Sequence, residues 1–217
     1  MNLANILEEN LEKYGVYDLM HYEDKIITNE DALDAAKKIA NMITKYGVEK
    51  GDRVIVCMPN RPEVIFAYQG IVRTGAIVVP VMFLLQSKEI AYILKDSEAK
   101  AVITAQQTLP KILEAIEEAQ VETKVFVADL EEGSKADNVY DLQTEMEKEG
   151  PTEEKAEIEE TDVAVILYTS GTTGRPKGVE LTHANWLYLG AAVASEDVVR
   201  PDHVQFLWLP LSHVFGK

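Results

Sequence analysis

Apolar residues recur along this chain at two alternating periods. Near the start, Leu3, Ile6, Leu7 and Leu11 share one helical face. Residues 25–28 then read as a short strand. Thr28 or Asn29 is placed to cap a following helix that carries Leu33, Ala36, Ile39, Ala40 and Ile43. This helix ends near Tyr46-Gly47, and Lys50-Gly51-Asp52 makes a turn. Residues 53–58 follow as a strand that Pro59-Asn60-Arg61-Pro62 breaks. A helix is predicted over 63–73. Residues 76–81 show no polar alternation, which marks a strand covered on both faces.

The cycle then repeats. Ser87 is expected to cap a helix reaching Lys95, and a strand is predicted over 101–104. A helix over 109–119 and a strand over 124–127 come next. Partial helix is expected over 140–148, and residues 163–168 form the clearest strand. A second short strand over 179–181 leads to Thr182, the cap of a helix from His183 to about Ser195. Residues 204–209 read as an apolar strand. No repeat of fixed period and no low-complexity linker interrupts the order. Alternating strands and helices predict an α/β fold, a layered, mostly parallel sheet flanked by helices.

Composition narrows the class. The 217 residues suffice for one large domain or two small ones, and 47% apolar residues suit a globular chain. The net charge of −16 repels polyphosphate backbones, so nucleic acid is not an expected partner. Fourteen acidic residues between Asp129 and Asp162 face only Lys135, Lys148 and Lys155, so residues 129–162 read as a solvated surface segment, of which the part from Glu131 to Glu160 can be shortened at little cost. The lone Cys57 cannot form an internal disulfide and sits within a predicted strand, as inert core. The first residues lack a signal-peptide pattern. The longest apolar run, 76–85, is too short to span a bilayer. A soluble, cytoplasmic protein without a transmembrane segment is expected.

Chemistry concentrates in Tyr168-Thr169-Ser170-Gly171-Thr172-Thr173-Gly174-Arg175-Pro176-Lys177-Gly178-Val179. Glycines let backbone N–H groups converge on an anion, hydroxyls add donors, and Lys177 adds a full charge. The segment suits polyphosphate. An ordinary Gly/Thr-rich surface turn is the plain alternative, and the length of the motif argues against it. The common P-loop does not fit, because Gly178 follows Lys177 where a helix should begin. The loop over 168–179 is instead predicted to join two strands as a flap.

These residues resemble the phosphate-binding signature of the adenylate-forming superfamily. Other segments resemble that family in the same order: Tyr46 to Val54 its "GvkkGDrV" stretch, Pro59 to Glu63 its "pNspe" turn, Gly70 to Pro80 its "GilkaGavvvP" stretch, Lys88 to Leu94 its "kEiayiL" helix, and Leu209 to Gly216 a later core motif. Thr172-Thr173 and His213 look most like fatty-acyl and aryl-CoA ligases. Peptide-synthetase domains usually carry another aromatic at the His213 position, and acetyl-CoA synthetases a tryptophan. Met82-Phe83-Leu84-Leu85 departs from the usual sequence after Pro80 and leans towards long-chain fatty acid ligases.

The resemblance implies ATP-dependent activation of a carboxylic acid, such as a long-chain fatty acid, to acyl-AMP and then to acyl-CoA, with ATP, Mg²⁺ and CoA taking part. Thr169, Ser170, Gly171, Thr172, Thr173, Gly174 and Lys177 would hold the β- and γ-phosphates, and His213 would stand beside the carboxylate. A partly buried, hydrogen-bonded histidine is the plain reading of His213. His21, His183 and His203 have no metal-ligand spacing and are expected at the surface or as caps. The family's magnesium glutamate, ribose aspartate and mobile carboxy-terminal lysine are expected downstream of Lys217. The chain is therefore expected to be an incomplete amino-terminal AMP-binding domain, inactive alone. With Phe206, Trp208 and Leu209 uncovered, it is expected to self-associate, for instance as a homodimer. A non-catalytic phosphate-binding or interaction module of the same descent is the alternative.

Overall fold

The computed structural model describes residues 2–134, 136–169, 176–196 and 203–212. After a single 3-10 turn, α1 (Ile6–Tyr14) leads to a small antiparallel hairpin of β1 (Asp18–Tyr22) and β2 (Lys25–Thr28). The pattern of residues had indicated only the second of these strands, because Asp18 and His21 break the apolar run of the first. Next comes α2 (Asn29–Lys45). Thr28 caps it and Asp31 reaches back to the Thr28 N–H at 2.9 Å, a reciprocal capping box.

From there strands and helices alternate: β3 (Arg53–Cys57), α3 (Pro62–Arg73), β4 (Ile77–Pro80), α4 (Ser87–Ser97), β5 (Ala101–Ala105), α5 (Leu109–Ala119), β6 (Lys124–Ala128), β7 (Val139–Asp141), α6 (Leu142–Glu149), β8 (Val163–Thr169), β9 (Lys177–Thr182) and α7 (His183–Ser195). Among the described residues the main sheet has seven strands in the order β7-β6-β5-β3-β4-β8-β9. Neighbours run parallel except β8 and β9, which pair antiparallel. One boundary differs from expectation. Gln86, not Ser87, caps α4, since Glu89 accepts from the Gln86 N–H at 2.9 Å and Ser87 is already helical.

Alternate strand residues feed two cores. Val54, Val56, Ile103 and Phe126 pack with Ile39 and Ile43 of α2 and Val64 and Ile71 of α3. Ile55, Cys57, Val102 and Val127 pack on the other face with Ile90 and Leu94 of α4 and Ile112 of α5. The expected layered, mostly parallel sheet with helices on both faces is what the chain forms. Gly70 permits the closest approach of α2 and α3, because a Cβ there would lie 2.6 Å from Cγ2 of Ile39.

The acidic stretch is on the surface, but it is fastened. Beyond α6 the chain runs back across α1, α2 and α3 as a strap. Asn41 donates to the carbonyls of Glu149 and Gly150 at 2.8 and 3.3 Å, and Lys37 pairs with Glu153 at 2.6 Å. Arg73, with its side chain only 1% exposed, donates to Glu8 at 2.8 Å and to the Thr152 carbonyl at 3.4 Å, while its own carbonyl accepts from the Ala156 N–H. Lys155 also pairs with Glu8. Burial alone would raise the Glu8 carboxyl, but the hydrogen bonds from Lys155 and Arg73 more than offset this and hold it below its ordinary value. Lys50 donates to the Glu157 carbonyl at 2.6 Å and pairs with Asp162 at 2.8 Å. The excess of carboxylates is thus partly answered by lysines and an arginine from residues 37–73, far away in the sequence. The network gives residues 149–162 partners that composition did not suggest.

Residues 203–208 are not a strand. They have no regular structure, and Val204, Phe206 and Trp208 are 88%, 89% and 73% exposed. Their β-forming composition supplies no backbone partners, and without a neighbouring strand the ladder does not form. No described helix is long and apolar enough to cross a membrane.

Candidate functional site at the carboxyl edge of the sheet

The site is built where parallel strands end. From β3 the chain leaves towards the face covered by α3, and from the adjacent β4 towards the face covered by α4. Neighbouring strands that depart to opposite faces leave a crevice outside their carboxyl ends, the usual ligand position in open α/β sheets. β8 lies beside β4 and parallel to it, so Thr169 comes out at the same edge.

The expected junction of two strands is present. β8 and β9 pair from Val163↔Thr182 to Thr169↔Lys177. The last pair closes the base of the glycine-rich loop and sets Thr169 and Lys177 opposite each other across the ladder, both exposed. No salt bridge among the described residues involves Lys177. Of the residues expected to hold phosphate, Thr169 and Lys177 are therefore brought together. Ser170, Gly171, Thr172, Thr173 and Gly174 lie outside the described residues, and so does His213.

The stem of the loop is braced on one side. The register pair Tyr168↔Gly178 lays the tyrosine ring against the glycine, where a Cβ would lie 2.9 Å from Cγ2 of Ile166 and 3.3 Å from Cζ of Tyr168. The Tyr168 hydroxyl donates to Asp96 at the end of α4 at 2.6 Å. Partial burial, and then the Asp96 carboxylate, push the Tyr168 phenol well above its ordinary value, so it stays a donor. A shallow cavity of about 430 Å³ lies beside this brace, lined by Arg53, Ile77, Asp96, Glu98 and Glu180. It reaches from the starts of β3 and β4 to Tyr168 and Gly178.

A second backbone segment reaches the carboxyl edge. Asn60, just past β3, donates to the Leu209 carbonyl at 2.7 Å and accepts from the Leu211 N–H at 2.8 Å. Tyr68 of α3 donates to the Leu211 carbonyl at 3.2 Å, and the Leu211 side chain is buried. Sequence reasoning placed Asn60 in a strand breaker and a family-like turn but gave it no role, since its partners lie 149 and 151 residues away. An amide side chain in a loop at the end of a parallel strand is the one local signal that could have drawn attention to it.

The remaining candidates fall out as follows. Cys57 is buried, and burial pushes its thiol up to about 12, consistent with inert core. His21 and His203 are exposed. His183 corrects the expectation of a surface or capping residue, since Thr182 caps α7. It is 1% exposed, begins α7, and its Nδ1 accepts from the Leu3 N–H at 3.1 Å. That contact joins the first residues to the far end of the chain, which no local pattern reveals. Among the described residues no group of three or more His, Cys, Asp or Glu side chains is placed to hold a metal ion.

The family model described as AMP-binding enzyme matches residues 7–217. The chain belongs to this family. A crotonobetaine/carnitine–CoA ligase of Escherichia fergusonii is 33% identical over 180 residues, which cover 82% of this chain and 34% of the relative. The chain thus spans about a third of the length of the curated relatives it matches. Among solved structures, the anthranilate CoA ligase AuaEII in complex with anthranoyl-AMP matches with a TM-score of 0.79 and 27% identity, over 88% of this chain and 36% of that one. A putative long-chain-fatty-acid CoA ligase from Rhodopseudomonas palustris shares the fold, with a TM-score of 0.85 and 22% identity over 100% of this chain and 53% of that one. The homologues are acid–thiol ligases, and AMP-forming CoA ligases use ATP, Mg²⁺ and CoA.

Proposed function

We propose that this chain forms the phosphate-holding part of an AMP-forming ligase that activates a carboxylic acid. The acid's carboxylate oxygen attacks the α-phosphorus of ATP, pyrophosphate leaves, and the thiol of CoA then displaces AMP to give a thioester. Thr169, Ser170, Gly171, Thr172, Thr173, Gly174 and Lys177 hold the β- and γ-phosphates, and His213 serves the carboxylate. The observation that carries the reading is the β8–β9 hairpin, whose last pair sets Thr169 opposite Lys177 at the carboxyl edge. A hydroxyl donor and a cation in an otherwise acidic chain are the donor set a polyphosphate requires. Mg²⁺ bound with the nucleotide would share the phosphate charge. Such catalysis rests on positioning and charge neutralisation.

For the acid, the reading favours a long apolar chain. Met82-Phe83-Leu84-Leu85 follows β4 at the same edge, and Leu84 there is 61% exposed. ATP–pyrophosphate exchange by the protein that carries this chain, with palmitate, benzoate and crotonobetaine supplied in turn, tests both levels. Exchange with palmitate supports the full reading. Exchange only with benzoate or crotonobetaine removes the fatty acid, and no exchange with any acid removes the ligase.

A further inference from the structure

Residues 203–208 stand away from the fold, yet three residues later the chain is held tightly. Asn60 engages the backbone on both sides of Pro210, with its Nδ2 on the Leu209 carbonyl at 2.7 Å and its Oδ1 on the Leu211 N–H at 2.8 Å. A side-chain amide used in this way copies one rung of a β-ladder. Tyr68 adds the bond to the Leu211 carbonyl at 3.2 Å, and Leu211 itself enters the core under α3. Tyr68 is held among buried groups, and that burial pushes its phenol far above its ordinary value, so the hydroxyl remains a donor. Both anchors come from the β3–α3 corner, one flank of the crevice described above.

Here we propose that Asn60 and Tyr68 are positioning residues for the acid side of the reaction. They fix Leu209 to Leu211 against the carboxyl edge, on the opposite flank of β4 from the loop base at Thr169 and Lys177. In this division the β8–β9 hairpin serves the nucleotide, and the β3–α3 corner serves the segment that leads to His213. The inference rests on the proposed ligase reading. It adds that the two substrates are aligned by separate anchors, so that loosening one flank harms one substrate.

The test combines structure and kinetics in the protein that carries this chain. Asn60→Ala and Tyr68→Phe are compared with Asn60→Asp, which keeps the acceptor for the Leu211 N–H and loses the donor to Leu209. Amide hydrogen exchange of the peptide covering Leu209 to Ser212 reports the clamp directly. The expected result is faster exchange there, with KM for the acid raised about tenfold in Asn60→Ala, less in Asn60→Asp, and KM for ATP within about twofold of wild type. Faster exchange with both KM values unchanged, or with both raised equally, overturns the positioning role. Unchanged exchange overturns the clamp. If wild-type protein shows no pyrophosphate exchange with any acid, the ligase reading falls and takes the positioning role with it, while amide exchange still reports whether the clamp exists.

Discussion

Lys177 closes the base of the glycine-rich loop and is exposed, so its worth lies in binding rather than in packing. Lys177→Ala should leave the melting temperature unchanged and weaken transition-state stabilisation in pyrophosphate exchange by about 1.5–3 kcal/mol, the value of one charge-assisted hydrogen bond. Wild-type exchange rates in the variant would remove Lys177 from the site. His183 makes the opposite kind of prediction. Burial holds its imidazole below the ordinary value of 6.5, against the opposing pull of Asp162, and Lys50 adds to the lowering. Its Nδ1 is committed as an acceptor to Leu3. The unfolded chain takes up a proton as pH falls through about 6.5, while the folded chain resists until lower pH. Stability is therefore full above neutrality and falls in the window below about pH 6.5. Urea midpoints measured across that window should decline in wild type, and less steeply in His183→Gln. An equal decline in both would relieve His183 of the role.

At the scale of elements, the strap beyond α6 is the part whose importance composition concealed. Removing residues 149–157 deletes the Asn41, Lys37 and Lys155 contacts and the Thr152 carbonyl that receives Arg73, and leaves a buried guanidinium with Glu8 alone. Uncovering part of a buried charge network costs about 3 kcal/mol, a fall in Tm of about 10 °C at this chain length. A melt within about 2 °C of wild type would restore the view of a dispensable segment. The contrast with α5 and β6 is instructive. There the apolar period alone indicates both elements, because Ile112, Ala115, Val125 and Val127 answer to neighbours one cycle away. Arg73 could not be read as a core residue, since Glu8 and Thr152 lie 65 and 79 residues from it. The loop was legible because its chemistry is contiguous. Asn60 was not, because hydrogen bonds across the fold leave no local trace.

For the molecule as a whole, the apolar surface is uneven. The outward side of α7 exposes Tyr188, Leu189 and Val193, and residues 204–208 add Val204, Phe206 and Trp208. Helices apolar all round are normally enclosed, and an exposed apolar area of about several hundred Å² seeks cover. The chain should therefore self-associate at micromolar concentration. Light scattering should give a mass above the 24.2 kDa of one copy, and a monomer mass at that concentration would refute it. Tyr188→Lys with Phe206→Lys should then shift the mass towards one copy.

The strap and His183 also bear on the order in which the chain matures. Asn2 donates to the Ile158 carbonyl, the Leu3 N–H to His183, and Glu8 receives both Arg73 and Lys155. The opening residues thus find several polar partners among residues made much later, while the apolar face of the first helix packs on α2. On a ribosome that has completed β3 to β6, Leu7 already has Ala32, Leu33 and Ala36 of α2 to pack on and Glu8 has Arg73, while the bonds to Lys155, Ile158 and His183 are still to come. The opening of this polypeptide is therefore fastened in two stages, first by packing on α2 and then by the bonds to residues 155–183, and between the two it is the part most open to a protease or chaperone.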